Sequence, residues 1–498
     1  EVVGNGDGDK SGFKCLTAGM ALARSPRFSR KGDKLAFLSN GDGFATHGGC
    51  MALSVMEWDE EGGADVKSHR VVVDVVRRPV VTTENGHDGM GFPGLFLDQL
   101  LPRDGGFSLD DEFVYLTSQW GSVSKIIKIR LRDGSVKTVP ICEDKSQNLL
   151  CVSEDGLIIT ESSPNEPHSI HLLPYSSHDN ENNVRHLIAK LSPIAISTHS
   201  PLISQIDTTT LSYTLHRHTH SPNETNNTAI PPFESILLLP HHPSHHHNQT
   251  TKPKLPPLIV IPHGGPHTTL STTFHPQYAF LTKSGYAILL LNYRGSVGFG
   301  QDFLETLAGS IGTVDVNDLI TATNDIIAQN QVDPTRVAIC GGSHGGYLAC
   351  HAMGRFPNLF KVTAMRNPVT NVPSMVTATD IPDWCYVEAL GSYDYSRYAP
   401  VTCKKQLEAM YDVSPIQYLE NVTGPVLMGI GMKDRRVPPS QGLEYFYALR
   451  ARRAAAANDN GMETTKLLVY ENDDHAIDLP ASEGDFWINT KRWFDQHL

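Results

Sequence analysis

Up to about residue 210, apolar and polar residues alternate over short stretches separated by charged turns, which is typical of β-strands joined in hairpins. The segment KIIKIRLRDGSVKTVP (125–140) alternates on both sides of Asp133-Gly134 and predicts one such hairpin. A hydrophobe and serine, a charged turn and a strand recur in FSRKGDKLAFLS (28–39), FSLDDEFVYLTS (107–118) and VSEDGLIITES (152–162). Repeated hairpins predict blades of a β-propeller, about four at roughly 40–50 residues each, with a β-sandwich as the alternative.

From residue 255 onward the pattern changes to strands that alternate with helices. The segment VDVNDLITATNDIIAQN (314–330) places its apolar residues on one helical stripe. Short, continuous apolar runs predict buried strands in LPPLIVIP (255–262), YAILLLNY (286–293), RVAIC (336–340), PVLMGIG (425–431) and KLLVY (466–470). This alternation predicts a mostly parallel sheet with helices on both faces.

The composition is that of an ordinary globular protein and restricts its partners. The 498 residues are 40% hydrophobic and 19% charged, and the formal net charge of −13 argues against nucleic acid or an anionic membrane surface as a partner. No apolar run approaches the roughly 18 residues that a membrane helix needs. The eight cysteines show no C-x-x-C spacing, so we expect reduced thiols, a cytoplasmic location and neither disulfides nor structural zinc.

Ser343 lies directly after a predicted strand, in the sequence CGGSHGGYLAC (340–350). The pattern Gly-x-Ser-x-Gly between a strand and a helix indicates a nucleophile elbow, a sharp turn in which flanking β-carbons would clash. The bland alternative is a glycine-rich turn whose serine only caps the helix.

A nucleophilic serine needs a base and an acid that orients the base. Asp434 follows the strand PVLMGIG, and His475 follows the next strand, KLLVY. The order Ser, Asp, His along the chain, with each residue after a strand, predicts a catalytic triad of the α/β-hydrolase type. The alternatives are a surface ion pair for Asp434 and an exposed loop histidine for His475.

An oxyanion hole is needed as well, because the tetrahedral intermediate carries negative charge. The backbone N–H of His344, the residue after the nucleophile, is one predicted donor. The loop PHGGPH (262–267), which follows an early strand, is placed to supply the second. Its alternative is an ordinary Gly-Pro turn.

We therefore expect two domains: a partial β-propeller-like domain (1–212) and an α/β-hydrolase domain (233–498). The stretch 213–232 is interpreted as a polar linker. Eight of the 23 histidines lie within 213–256, but without Asp, Cys or helical spacing they favour loops over a metal site, so we predict no metal and no cofactor.

Several segments together resemble the acylaminoacyl peptidases, a group within the prolyl oligopeptidase family of serine peptidases. The resemblance is dense over residues 233–498 and rests on PHGGPHTT (262–269), NYRGSVGFGQD (292–302), GGSHGGYLACH (341–351), RNPVTN (366–371), TDIPDWCYVEA (379–389) and DRRVPPSQGLEYFYAL (434–449).

The resemblance implies removal of an N-acylated amino acid from the end of a short peptide, without a cofactor. It implies that Ser343 is the nucleophile, His475 the base and Asp434 the orienting acid, with oxyanion N–H groups from Gly265 and His344. Arg436 would hold a substrate carbonyl near the acyl end. Homo-oligomers are common in the family, and we expect one here.

One departure from the family is the length of the propeller region, because about 210 residues are too few for a closed ring of the usual size. The sequence therefore predicts a truncated or reduced propeller. A broader esterase, an aminopeptidase of the same family and a catalytically silent scaffold remain alternatives. The segment IPDWCYV (381–387) fits a substrate pocket and a buried core equally well.

Overall fold

The computed structural model describes residues 15–41, 46–59, 63–80, 90–97, 100–101, 104–139, 145–175, 186–190, 211–219, 232–240, 254–394, 403–455 and 464–498. Within these residues, no helix is both long enough and apolar enough to cross a membrane.

The N-terminal region consists of antiparallel sheets that follow one another along the chain. The first contains β1 (Leu22–Phe28), β2 (Lys34–Asn40), β3 (Ala52–Asp59), β4 (Gly63–Ala64) and β5 (Arg70–Val73). The second contains β6 (Phe113–Trp120), β7 (Val123–Arg130) and β8 (Val136–Thr138). The third contains β9 (Ser146–Val152), β10 (Gly156–Ser163), β11 (Glu166–Pro174) and β12 (His186–Lys190).

The middle sheet is buried on both faces. Its residues Ile127 and Ile129 share an apolar core with the first sheet, whereas Tyr115 and Ile126 pack in a second core against the third sheet. Sheets stacked in series agree with the predicted partial propeller, because a sandwich has one core between two sheets. The described residues hold three such sheets where the sequence predicted about four blades. The hairpin predicted at Asp133-Gly134 is confirmed as the β7–β8 pair.

The C-terminal domain is built on an eight-stranded sheet. Its strands are β13 (Leu211–His218), β14 (Phe233–Pro240), β15 (Pro257–Pro262), β16 (Ala287–Asn292), β17 (Asp333–Gly342), β18 (Val362–Arg366), β19 (Val426–Gly431) and β20 (Thr465–Tyr470). The order is β13-β14-β16-β15-β17-β18-β19-β20, with the pairs β13–β14 and β14–β16 antiparallel and the others parallel.

Helices cover both faces of this sheet, as predicted. They are α1 (Pro276–Lys283), α2 (Gln301–Glu305), α3 (Val314–Ala328), α4 (His344–Arg355), α5 (Val372–Met375), α6 (Pro382–Leu390), α7 (Lys404–Asp412), α8 (Ser440–Ala455) and α9 (Pro480–His497). Side chains of α3, α4 and α8 join the core on one face, and those of α1 and α9 join the core on the other. The central strands are therefore buried on both sides, which explains their continuous apolar runs.

The interpretation of 213–232 as a linker is wrong at its start. Strand β13 pairs with β14 from Leu211 opposite Pro240 to His218 opposite Phe233, so the eight-stranded sheet begins before the predicted boundary. The error has a physical cause: polar residues of this strand are satisfied by specific partners, which the composition does not reveal. Residues 220–231 and the histidine-rich stretch 241–253 lie outside the described residues.

Polar contacts join the N-terminal sheets to the C-terminal domain. Arg77 and Arg78 each form an ion pair with Asp302, with N–O distances of 2.6 Å. The N–H of Ser122 donates to the carboxylate of Glu234 on β14 at 3.0 Å. These contacts hold the segment after β5 and the turn between β6 and β7 against the C-terminal domain.

Candidate active site

Ser343 lies between the end of β17 and the start of α4, with φ 57° and ψ −122°. This conformation is costly for a residue with a side chain and is typical of a nucleophile elbow. A methyl group on Gly341 would lie 2.3 Å from the carbonyl oxygen of Gly345, and one on Gly345 would lie 2.3 Å from the carbonyl oxygen of Pro262. The glycines of the motif are therefore steric requirements of the turn.

Asp434 and His475 lie together at the ends of β19 and β20. Nδ1 of His475 is 2.7 Å from Oδ2 of Asp434, whose side chain is fully buried. The other carboxylate oxygen accepts the backbone N–H groups of Arg436 at 2.8 Å and Val437 at 2.9 Å. The carboxylate is thus held by its own loop and can orient the imidazole, leaving Nε2 for another partner.

Strand β18 lies between the strands that carry Ser343 and Asp434. The N–H of Ser343 donates to the carbonyl of Arg366, the last residue of β18, at 2.9 Å. No hydrogen bond joins the side chains of Ser343 and His475 in this part of the described structure. Such bonds are often long before a substrate is bound and shorten in the complex.

The loop after β15 lies beside Ser343. A methyl group on Gly264 would be 3.9 Å from Oγ of Ser343. Gly265 has φ 111° and is exposed, and its carbonyl accepts a hydrogen bond of 2.9 Å from Nε1 of the buried Trp384. The indole thus fixes the orientation of this peptide. His344 is the first residue of α4, where a backbone N–H has no acceptor within the helix.

The side chain of His344 points away from solvent. It is fully buried, and its Nε2 lies 2.8 Å from the buried carboxylate of Asp315 on α3. Only the backbone of His344 is therefore available to a ligand.

Arg436 lies at the same opening as the Asp434–His475 pair. Its Nε donates to Oδ1 of Asp380 at 2.8 Å, and both side chains are about half exposed. Together with Asp434 and His475 they line a cavity of about 810 Å³. Asp380 holds one edge of the guanidinium and leaves its remaining N–H groups for other partners.

Comparison with known proteins finds one family match in each half of the chain. Residues 272–498 match the prolyl oligopeptidase family, and residues 5–200 match the N-terminal domain of acylamino-acid-releasing enzymes.

The C-terminal domain belongs to the prolyl oligopeptidase family.

The chain is 34% identical over 501 residues to the acylamino-acid-releasing enzyme of Rattus norvegicus, covering 98% of this chain and 61% of the relative. It is 33% identical over 490 residues to that of Arabidopsis thaliana, covering 97% and 60%. The chain therefore spans about three-fifths of the length of these relatives. The resemblance to acylaminoacyl peptidases predicted from the motifs is confirmed.

Solved structures of low sequence identity share the fold. An acylaminoacyl peptidase of Pyrococcus horikoshii matches with a TM-score of 0.66 at 15% identity, over 94% of this chain and 62% of that chain. A puromycin-hydrolyzing peptidase of Mycobacterium tuberculosis matches with a TM-score of 0.68 at 19% identity, over 97% and 71%.

Sequence reasoning missed an ion pair that supports the loop PHGGPH (262–267, the glycine loop) after β15. His267 is buried and donates from Nδ1 to the carbonyl of Gly295 at 2.8 Å and from Nε2 to the carboxylate of Glu388 at 3.0 Å. Burial opposes the charge, but the Glu388 carboxylate outweighs it and raises the pKa of His267. The sequence shows a second histidine in PHGGPH, but it does not show that this histidine pairs with Glu388, which lies 121 positions further along the chain.

His263, at the other end of the loop, is neutral. Burial lowers its pKa to about 3. Its Nδ1 donates to the carbonyl of Gly264 at 2.7 Å, and its ring stacks on Tyr293 with centroids 4.3 Å apart. The pKa values of the two histidines of one short loop are therefore shifted in opposite directions, because His267 faces the Glu388 carboxylate whereas His263 contacts the Gly264 carbonyl.

The segment IPDWCYV is mainly core. Trp384, Cys385, Tyr386 and Val387 are all buried, and Trp384 contacts the glycine loop. Among the residues that the structure describes, no group of three or more His, Cys, Asp or Glu side chains is placed to hold a metal ion.

Proposed function

We propose that this chain is a serine exopeptidase that hydrolyses short N-acylated peptides and releases the N-acyl amino acid. The observation that carries the proposal is the 2.7 Å hydrogen bond between Asp434 and His475 at the cavity that also contains Arg436. The Ser343 elbow on the nearby strand β17 and the acylamino-acid-releasing relatives support it.

In the proposed mechanism, Oγ of Ser343 attacks the scissile carbonyl carbon while Nε2 of His475 takes its proton. Asp434 keeps the other ring nitrogen of His475 protonated and stabilises the imidazolium that forms. The leaving amine receives the proton from His475, and water then hydrolyses the acyl-enzyme by the same route. The carbonyl of the substrate becomes an oxyanion in both steps.

The backbone N–H groups of His344 and Gly265 are the proposed donors to this oxyanion. Donors held in place before the reaction lower its barrier, because they need no reorganisation as charge develops. Trp384 supports this role, since its hydrogen bond to the Gly265 carbonyl restrains the Gly265–Pro266 peptide, which directly follows the peptide that carries the Gly265 N–H. The His267–Glu388 ion pair restrains the same loop two residues further along, again from α6.

Arg436 is proposed to hold the carbonyl oxygen of the N-acyl group. Its guanidinium presents directed N–H donors, and Asp380 fixes its orientation with a hydrogen bond of 2.8 Å. The same carboxylate is the observation that favours a second candidate, an aminopeptidase, because a half-exposed Asp380 could hold a free ammonium group instead.

Location and assembly are further proposals. The cysteines at 15, 50, 151, 340, 350, 385 and 403 are all free, which supports a reducing compartment such as the cytoplasm. The sheet ends at β20, where Val469 is 48% exposed, and a homo-oligomer could cover such an edge.

The test is release of nitroaniline from N-acetyl-alanyl p-nitroanilide and from its free-amine analogue, by the wild type and by Ser343→Ala. We expect cleavage of the acetylated compound only, and a loss of several orders of magnitude in kcat/KM on substitution. Preference for the free amine would favour the aminopeptidase. Hydrolysis of p-nitrophenyl acetate, measured alongside, without cleavage of either anilide would favour the esterase. A folded protein inert toward all of them would favour the scaffold.

A further inference from the structure

Asn367, the residue after β18, lies between the loop that carries Asp434 and the loop that carries His475. Its Nδ2 donates to the carbonyl of His475 at 3.0 Å and to the carbonyl of Asp474 at 3.2 Å. Its Oδ1 accepts the N–H of Gly431, the last residue of β19, at 2.9 Å. One carboxamide therefore connects the end of β19, from which the loop with Asp434 continues, to the loop that carries His475.

The preceding residue, Arg366, extends these contacts. Its backbone carbonyl accepts the N–H of Ser343 at 2.9 Å, and its Nη1 donates to the carbonyl of Ala476 at 3.3 Å. Its guanidinium lies 5.4 Å from the ring centroids of both Phe486 and Trp487, which hold it against α9. Three consecutive carbonyls of the histidine loop, at positions 474–476, are thus bound by two consecutive residues of β18 and its end.

An asparagine is the side chain that fits this position. Asn367 is 2% exposed and has φ 40°, a left-handed conformation that Asn tolerates better than most residues. Its backbone N–H donates to the carbonyl of Gly429 at 3.0 Å, which keeps the residue in line with β19. Aspartate has the same shape but no amide donor, so one of its oxygens would face two carbonyl oxygens.

The histidine loop needs such support from outside. Ile477, two residues after His475, has φ 49°, which is strained for a β-branched residue. Strained backbone persists only where surrounding contacts hold it. The hydrogen bonds from Asn367 and Arg366 reach the three residues immediately before this position.

We propose that Asn367 is a positioning residue for the triad. It holds the loop that carries His475 (the base loop) against the end of β19 and the loop that carries Asp434 (the acid loop), so that Nε2 of His475 reaches Ser343. The proposal rests on the proposed peptidase function, because it assigns the role within that reaction. Asn367 acts through the carbonyls of the base loop and does not contact the reacting atoms. Its loss should lower kcat with little change in KM, since a displacement of about 1 Å at reacting groups costs about 100-fold in rate.

The matched control is Asn292, a fully buried asparagine at the end of β16 in the same sheet. Its Oδ1 accepts the N–H of Leu270 at 2.8 Å, and its Nδ2 donates to the carbonyl of Leu270 at 2.7 Å and to Ser122 at 2.9 Å. Asn292→Asp therefore disturbs a comparable carboxamide at a position outside the base and acid loops. Asn367→Asp and Asn367→Leu are the test variants.

Two rates are measured for each folded variant: kcat and KM for N-acetyl-alanyl p-nitroanilide, and phosphonylation of Ser343 by a small alkyl fluorophosphonate. The second reaction reports activation of the serine without requiring recognition of a peptide. Thermal unfolding measures the structural effect. We expect Asn367→Asp to lower kcat and the phosphonylation rate by about 100-fold, with KM within about threefold of the wild type. Asn292→Asp should lower the unfolding temperature comparably but change either rate by no more than about threefold.

Equal loss of rate in Asn292→Asp and Asn367→Asp would overturn the proposal, because the effect would then be structural. Rates within about threefold of the wild type in folded Asn367→Asp would overturn it as well. If the wild type is phosphonylated at Ser343 but cleaves no acylated peptide, the proposed substrate is wrong, and the phosphonylation rates still decide the role of Asn367. If wild-type Ser343 is not phosphonylated, no activated triad exists and the positioning role is refuted with it.

Discussion

Removing the charge of Glu388, which pairs with the buried His267, should destabilise the protein to an extent that depends on pH. In Glu388→Gln the carboxylate is replaced by a neutral amide of the same shape. The His267 side chain is 2% exposed and that of Glu388 is fully buried, so little solvent is present to replace the lost charge. Removing one partner of a buried ion pair costs about 3–5 kcal/mol while the other partner stays charged.

The size of the loss should depend on pH, because His267 can escape the penalty by releasing its proton. In the wild type Glu388 raises the pKa of His267 above the ordinary value of 6.5. Between pH 6.5 and this raised pKa, the folded state therefore holds a proton that the unfolded state has released. The pair's contribution is therefore fully present below pH 6.5 and is lost as the pH rises through the raised pKa. In Glu388→Gln only burial remains as a large influence, and it lowers the pKa of His267.

We therefore expect Glu388→Gln to reduce the free energy of unfolding by about 3 kcal/mol near pH 6, with a smaller difference at higher pH. The assay is urea unfolding of the wild type and Glu388→Gln at several pH values between 5.5 and 9. Contributions from other titrating groups cancel in the difference between the two proteins. Glu444→Gln, which alters an exposed carboxylate on α8 that accepts from Asn371 at 3.2 Å, is the control and should leave the pH dependence unchanged. A stability difference that is constant with pH, or that grows as the pH rises, would refute the reasoning.

Three further predictions concern the site and its turn. Asp434→Asn should keep the fold but lower kcat by roughly 10⁴-fold, because the amide favours the wrong tautomer of His475. Steady-state kinetics on the acetylated anilide would measure this, and a loss below about tenfold would contradict the assignment. Arg436→Lys should raise KM for the acetylated substrate by about tenfold with a smaller change in kcat, because the ammonium lacks the directed fork of the guanidinium; an unchanged KM would count against an acyl-carbonyl contact. Gly345→Ala should destabilise the protein by about 1–3 kcal/mol, because the new methyl group would lie 2.3 Å from the carbonyl oxygen of Pro262. A thermal unfolding midpoint equal to that of the wild type would contradict this prediction and show that the turn relaxes freely.

Part of the fold followed from local patterns alone. Continuous apolar runs predicted the central strands because parallel strands are buried on both faces, and the helical stripe at 314–330 corresponds to α3 at Val314–Ala328. Strand β13 was misread because its polar end is satisfied by distant groups. His218 lies 2.7 Å from Asp325 on α3 and 2.7 Å from Ser235 on β14. A histidine with such partners can be buried, although the polar composition of the surrounding segment suggests a linker.

The sequence by itself determined the features that depend on neighbouring residues: the period of each element, the glycines that a sharp turn requires and the order of Ser343, Asp434 and His475 along the chain. Only the tertiary structure decided which distant polar groups meet. The contacts of Asn367 with the end of β19 and with the loop of His475 arise from the order of strands in the sheet, and the pairing of His267 with Glu388 arises from the packing of α6. The physical reason is that periodicity and steric strain act over a few residues, whereas a buried charge or amide requires partners that chain folding brings from far away.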